Sequence, residues 1–116
     1  MTTIAISNGT LEVRLTRLEK VAGLLRDVDV PLSAVRAAVV VPDGLAAARG
    51  LRAPGLALPG RRGIGTWRRD GEKTMVVVRR GRPALKVELA GQRWNGLLLE
   101  VESPDDVARR LQAVVA

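Results

Sequence analysis

Residues 97–116 read LLLEVESPDDVARRLQAVVA, and this stretch decides the fold. An apolar run, Leu97–Leu99, leads straight into a helical pattern. Ser103 stands at the expected N-cap, Pro104 at the first helical position and Asp106 three residues past the serine, a capping-box spacing with proline where its missing N–H costs nothing. Asp105 and Asp106 complement the positive end of the helix dipole, and each has an arginine four residues on, Arg109 and Arg110. Val107, Leu111, Val114 and Val115 form one apolar stripe. Burying such a stripe yields about 1.5–3 kcal/mol per large side chain, so a capping helix over 103–115 is expected to close a β-core made by everything before it.

The chain has 116 residues, which suits a single domain over 1–116. It contains no Phe, Tyr, Cys or His, and its only aromatics are Trp67 and Trp94. Its core must therefore be Val, Leu, Ile and Ala. Without cysteine there is no disulfide framework, no thiolate nucleophile and no thiolate metal site; without histidine, the commonest acid–base and metal-binding side chain is missing too. No cofactor and no metal are expected. The longest uncharged run, Met1–Leu11, is polar, and nothing approaches the ~20 apolar residues of a membrane span. The expected location is cytoplasmic, with peripheral attachment to the inner face of the membrane as the variant.

The net charge of +7 is unevenly placed: residues 49–93 hold 12 of the 19 basic and 3 of the 12 acidic residues, a local +9. Sixteen of the basic residues are Arg, which favours bidentate contact with carboxylate or phosphate. The bland alternative is a composition bias toward arginine and alanine.

Upstream, Thr10–Thr16 alternates as a half-buried strand, with Asn8-Gly9 a hairpin signal and Thr3–Ser7 its short partner. Arg17–Arg26 changes to a helical period through Leu18, Val21, Leu24 and Leu25, so a short helix is expected there. Val28–Leu32 returns to alternation, with Pro31 marking an edge; Ala34–Val41 reads as a buried strand stopped by Pro42-Asp43-Gly44. Leu45–Arg49 has room for one helical turn, and the Gly- and Pro-rich 50–65 stretch, part of a 44–63 connection, reads as a long loop. The second half reads as an antiparallel meander: Ile64–Arg69, the Asp70-Gly71 turn, Lys73–Arg80, a Gly81-Arg82-Pro83 turn, Ala84–Ala90, and a last strand over Trp94–Glu102. The fold class is mainly β with helices, a β-sandwich or partly open barrel of about seven antiparallel strands, a short helix near 17–26 and the C-terminal capping helix.

The GIGTWRRDGE hairpin, the WNGLLLEVESPDDVARRLQAVV ending, DVDVPLSAV at Asp27–Val35 and RAPGLALPG at Arg52–Gly60 resemble bacterial pleckstrin-homology-like domains of the small stand-alone actinobacterial type. The resemblance spans roughly residues 10–116. It implies a seven-stranded, nearly orthogonal β-sandwich or partly open barrel with one end plugged by the last helix. Eukaryotic relatives bind phosphoinositide headgroups through basic residues around the first hairpin; here the second strand carries Asp27 and Asp29 instead, so that activity is not implied.

Among chemistry-bearing residues, Arg61 and Arg62 lie in the long loop, Arg68 and Arg69 end the GTW strand, Arg79, Arg80 and Arg82 surround the next turn, and Arg93 precedes Trp94. In a meander alternate turns share an end, so the Arg79–Arg82 turn should meet the Arg61/Arg62 loop, while Arg68 and Arg69 should lie near Gln92–Asn95. Two anion- or partner-binding clusters result. GRRGIG at 60–65 is not a phosphate loop, because it opens a strand rather than a helix. Asp27/Asp29 and Glu100/Glu102 are carboxylate pairs that read as solvent or edge positions. No Ser, Thr or Lys has an adjacent base to activate it, so no enzyme is expected. Trp67 and Trp94 serve either as core or as stacking platforms, and two aromatics are too few for a nucleic-acid surface. The expected function is a non-catalytic interaction module that binds a protein partner or itself through an uncovered sheet edge around Val28–Leu32. Peripheral binding to anionic membrane or headgroups through the arginine turns is the alternative.

Overall fold

The computed structural model describes residues 2–23, 25–49, 56–58, 62–69 and 71–115. A first hairpin joins β1 (Thr3–Ser7) to β2 (Thr10–Arg14), and helix α1 (Arg17–Gly23) then leads to β3 (Val28–Pro31). A 3-10 turn, Leu32–Ala34, precedes β4 (Val35–Val41), α2 (Gly44–Arg49) and β5 (Leu56–Leu58). The chain continues through β6 (Arg62–Arg69), β7 (Glu72–Arg79), β8 (Ala84–Leu89) and β9 (Gly96–Leu99) to α3 (Pro104–Gln112). The architecture is mainly β with a C-terminal helix, as the periodicity predicts.

The strands form two sheets, β1-β2-β3 and β4-β8-β9-β7-β6-β5. In the small sheet the hairpin turn is type I′-like, with positive φ at Asn8 (52°) and Gly9 (74°), the twist that a two-residue hairpin needs. Leu11, Val13 and Val30 point from it into the main core and meet Met75, Val77, Leu85, Val87, Leu97 and Leu99 of the large sheet. The two sheets thus pack face to face, sandwich-like.

Among the described residues nine strands replace the expected seven or so, and one strand pairing is parallel. β9 does not end a meander; it inserts between β8 and β7, antiparallel to the former and parallel to the latter. The cause lies in its composition. Leu97, Leu98 and Leu99 are all buried, so the strand has no polar face to turn outward and belongs at the centre of a sheet covered on both sides. Met75–Val78 of β7 are equally buried. The reverse face of the large sheet is covered by α2, where Leu45 and Ala48 pack with Trp67, Val76, Val78, Ala84 and Leu98. Gly44 opens that helix because a Cβ there would stand 2.8 Å from Val78 and 2.9 Å from the Ala84 Cβ.

α3 buries Val107, Ala108 and Leu111 in the main core and plugs it as expected, and Gln112 Nε2 donates to the Ala38 carbonyl of β4 at 2.6 Å. Three expectations need correction. α3 is shorter than 103–115, and Val114 is exposed. Ser103 makes no side-chain cap and adopts a left-handed conformation (φ 53°); its carbonyl instead accepts from Asp106 and Val107. The helix near 17–26 stops at Gly23, leaving Leu18 61% exposed, while Leu24 lies outside the described residues. The Gly- and Pro-rich loop holds the short strand β5, paired with β6; the rest of that loop, 50–55 and 59–61, lies outside the described residues.

Candidate functional site

The end of the large sheet where β6 starts and β7 ends carries the first basic cluster. Arg62 and Arg79 are register partners, so the Arg79–Arg82 turn does share an end with the start of β6, while Arg61 lies outside the described residues. Arg79 is not free to bind an anion. Its Nε donates to both carboxylate oxygens of Glu100, at 2.9 and 3.1 Å, and its Nη2 closes the fork on Oε2. Glu100 is only 8% exposed. The hydrogen bonds and charge of Glu100 raise the Arg79 pKa, holding the guanidinium charged. The pair lies in a cavity of about 420 Å³ with Thr16, Leu18, Glu19, Ile64 and Val77 on its walls.

Arg80 and Arg82 are exposed on either side of Gly81 (φ 73°). The turn is fastened to α2: the Gly44 N–H donates to the Arg82 carbonyl at 2.9 Å. Asp43 caps that helix, its Oδ1 accepting from the N–H groups of Leu45 (3.1 Å) and Ala46 (3.2 Å). Hydrogen bonds from the backbone of Ala46 and Gly81 hold its carboxyl below the usual range, with the charge of Arg80 adding to them.

The second cluster lies at the opposite end, as expected from the turns. Arg68 is exposed and Arg69 ends β6, paired in register with Glu72; Asp70 lies outside the described residues. Asn95 joins the 91–95 turn to β7, accepting on Oδ1 from the Lys73 N–H and donating its own N–H to the Lys73 carbonyl, both at 2.8 Å. Arg93 and Lys73 lie over the Trp94 ring, 5.7 and 5.6 Å from its centroid. Trp94 is 7% exposed and Trp67 4%, one in each core cluster, so neither offers a free stacking face.

Among the described residues, the basic groups at the two turns therefore lie at separate ends of the large sheet, with acidic groups interleaved. Beyond α2, a recess of about 360 Å³ on the reverse face mixes Arg36 and Lys86 with Glu72 and Glu88. A groove of about 300 Å³ between β3 and the 91–95 turn mixes Arg26 and Arg93 with Asp27 and Asp29. Asp29 is an edge residue bound to Arg14 at 2.7 Å. Asp27 accepts the Leu15 N–H at 2.8 Å and pairs with Lys20 at 3.2 Å, which together put its carboxyl below the usual range. Among the described residues no group of three or more Asp or Glu could hold a metal ion, and no helix is long and apolar enough to cross a membrane.

The sheet edges differ sharply in protection. β3 carries Asp29 and ends on Pro31, both recognised blocks to further pairing. β4 has a bulge between Val35 and Ala37, and its Ala38 carbonyl is taken by Gln112. β5 is three residues long. β1, by contrast, is five residues of Thr-Ile-Ala-Ile-Ser with neither charge nor proline; its ladder partner among the described residues is β2, and only Thr2, just before it, bridges Val101 in parallel on the other side. β3 does lie at a sheet edge, where the sequence places it, but Asp29 and Pro31 guard it; the strand without such guards is β1. The signal was present in the sequence as a strand lacking every device that guards an edge.

The chain matches no protein-family model, no curated protein and no solved structure.

Proposed function

We propose that this chain is a non-catalytic interaction module that takes up an extended protein segment along β1. The observation that carries the reading is the neutral, proline-free outer edge of β1 beyond Thr2, which itself bridges Val101. Ser7 and Thr10 flank a two-residue turn and so form the closing hydrogen-bonded pair; alternation then turns the N–H and C=O groups of Ile4 and Ile6 away from β2. An added strand satisfies those groups, while the half-buried Ile4 and Ile6 side chains already rest on the core and fix the edge in place. A pleckstrin-homology-like origin, proposed from the GIGTWRRDGE and SPDD segments, is in keeping with such a role. Nine strands and the parallel β7–β9 pair are where this chain departs from what that resemblance implied.

The test places a photo-crosslinking amino acid at Thr3, with Lys86 on the reverse face as control. Capture at Thr3 that disappears when Ala5→Lys is added supports the reading. Equal capture at both positions, or capture at Thr3 indifferent to Ala5→Lys, contradicts it.

Arg80 and Arg82, exposed side by side in one turn, favour a second reading: peripheral binding to an anionic membrane surface. Cosedimentation with anionic vesicles that fades with salt and with Arg80→Ala/Arg82→Ala supports it; no binding at low salt removes it.

A further inference from the structure

We propose that the groove between β3 and the 91–95 turn binds a small organic carboxylate, its oxyanion held between Arg26 and Arg93 and its apolar stem laid against Val28 and Trp94. The groove has a volume of about 300 Å³ and lies where the edge strand of the small sheet passes that turn of the large one. Such a volume is at the lower end of ligand sites, so the occupant is small.

Strand alternation sorts the charges around the groove. Val30 is buried in the main core and Val28 packs against it, so Asp29 turns to the opposite face of the small sheet. There Arg14 pairs with it at 2.7 Å. Asp27, just before the strand, is engaged as well: it accepts from the Leu15 N–H at 2.8 Å and pairs with Lys20 at 3.2 Å. Both carboxylates of the groove thus have cations of their own, and those cations are not Arg26 or Arg93. Arg26 and Arg93 are exposed, and among the described residues neither forms an ion pair.

The two unmatched guanidinium groups come from opposite banks, Arg26 from the connection between α1 and β3 and Arg93 from the 91–95 turn. A planar carboxylate is the group that such forks bind in bidentate fashion. Arg93 is steadied beforehand, its guanidinium carbon lying 5.7 Å from the centroid of the Trp94 ring, so less side-chain freedom is lost on binding. The half-buried Thr66 hydroxyl and Gln92 amide add neutral donors on the walls. Leu25, Val28, Val30 and Trp94 supply the apolar part of the lining, which suits an apolar stem rather than a second charge.

Titration with benzoate, followed by the amide and guanidinium N–H chemical shifts, tests the proposal. Benzoate should bind with a dissociation constant on the order of 1 mM, the scale open to so small a ligand, and should move the signals of Arg26, Thr66, Gln92 and Arg93. Benzamide has the same shape without the charge, and acetate has the charge without the stem; each should bind at least about fivefold more weakly. Arg26→Gln and Arg93→Gln should each weaken benzoate at least about fivefold, while Arg80→Gln/Arg82→Gln, at the other end of the large sheet, should leave it unchanged. Arg26→Gln disturbs no aromatic contact, so its effect is free of the stacking that Arg93→Gln also removes. The absence of saturable shifts up to about 20 mM benzoate would overturn the proposal. So would benzamide binding as well as benzoate, or an equal loss in the Arg80/Arg82 variant, which would reduce the effect to diffuse surface charge.

Discussion

Arg79, at the end of β7, grips the carboxylate of Glu100, the residue that follows β9, with a two-pronged hydrogen bond. The contact ties together the two strands whose parallel pairing sets the order of the large sheet. Glu100 is nearly buried and Arg79 partly exposed, so the two halves of the pair are unequal. Arg79→Met strands a buried carboxylate and should destabilise the fold by about 3 kcal/mol. Glu100→Gln keeps one acceptor, leaves the guanidinium partly solvated, and should cost about 1–2 kcal/mol. The double variant should cost less than the two together, a coupling that a denaturant double-mutant cycle measures. Strict additivity would contradict the pairing.

Helix capping gives a prediction opposite to the one that residue types suggest. At α1 the reciprocal box is present: the Glu19 N–H donates to Thr16 Oγ1 at 3.2 Å, and Glu19 Oε1 accepts from the Thr16 N–H at 2.8 Å. Glu19 also accepts from the hydroxyl of buried Thr2 at 3.0 Å. Thr16→Ala should therefore cost about 1 kcal/mol in chemical denaturation. At α3, Ser103 makes no side-chain cap, so Ser103→Ala should be nearly neutral. Ser103→Gly should stabilise by roughly 0.5–1 kcal/mol by relieving the left-handed backbone. A cost for Ser103→Ala matching that at Thr16 would show the serine to be a working cap.

The acid side of the stability profile follows from Asp27 and Asp43. Both carboxyls lie below their ordinary pKa in the folded chain, Asp27 chiefly through the Leu15 N–H and Asp43 chiefly through those of Ala46 and Gly81. A depressed folded-state pKa stabilises above the unfolded value of about 3.9 and is lost as pH falls through the folded one. With no histidine present, thermal stability should be level from about pH 5 to 8 and fall below about pH 4. Asp43→Asn should lower the plateau and shallow that fall, because the contribution it removes is the one present above the unfolded pKa. A midpoint transition near pH 6 would require a group outside this account.

Local elements were legible in the sequence wherever one residue period ran unbroken. Thr10–Arg14 alternates and sits behind an Asn-Gly turn, and the Val107–Leu111 stripe follows a proline start; both are where the pattern puts them. Strand order was not legible, because alternation says which face is buried and not which neighbour covers it. The run Leu97–Leu99 carried the missing information, since an unrelieved apolar strand needs a neighbour on both edges and a layer on both faces. β5 was hidden by its length and its Gly- and Pro-rich flanks. Of the expected binding residues, Arg80, Arg82, Arg68 and Arg93 are exposed; Arg79 was missed as an ion-pair partner because Glu100 lies twenty-one residues away. Trp67 and Trp94 are core residues, which an aromatic-poor sequence could have argued by the lack of anything larger to fill the interior.

The central claim is that β1 presents a pairing-competent edge at Ile4 and Ile6, beyond the Thr2–Val101 bridge, and residue-resolved amide hydrogen exchange on dilute protein tests it most directly. The account predicts that Ile4 and Ile6 exchange at least about a hundredfold faster than Ala5 within the same strand, and faster than Leu11 and Val13 of β2, because only the outward groups lack a ladder partner. Uniform protection along Thr3–Ser7 at low concentration would mean that the edge is already covered and would contradict the account.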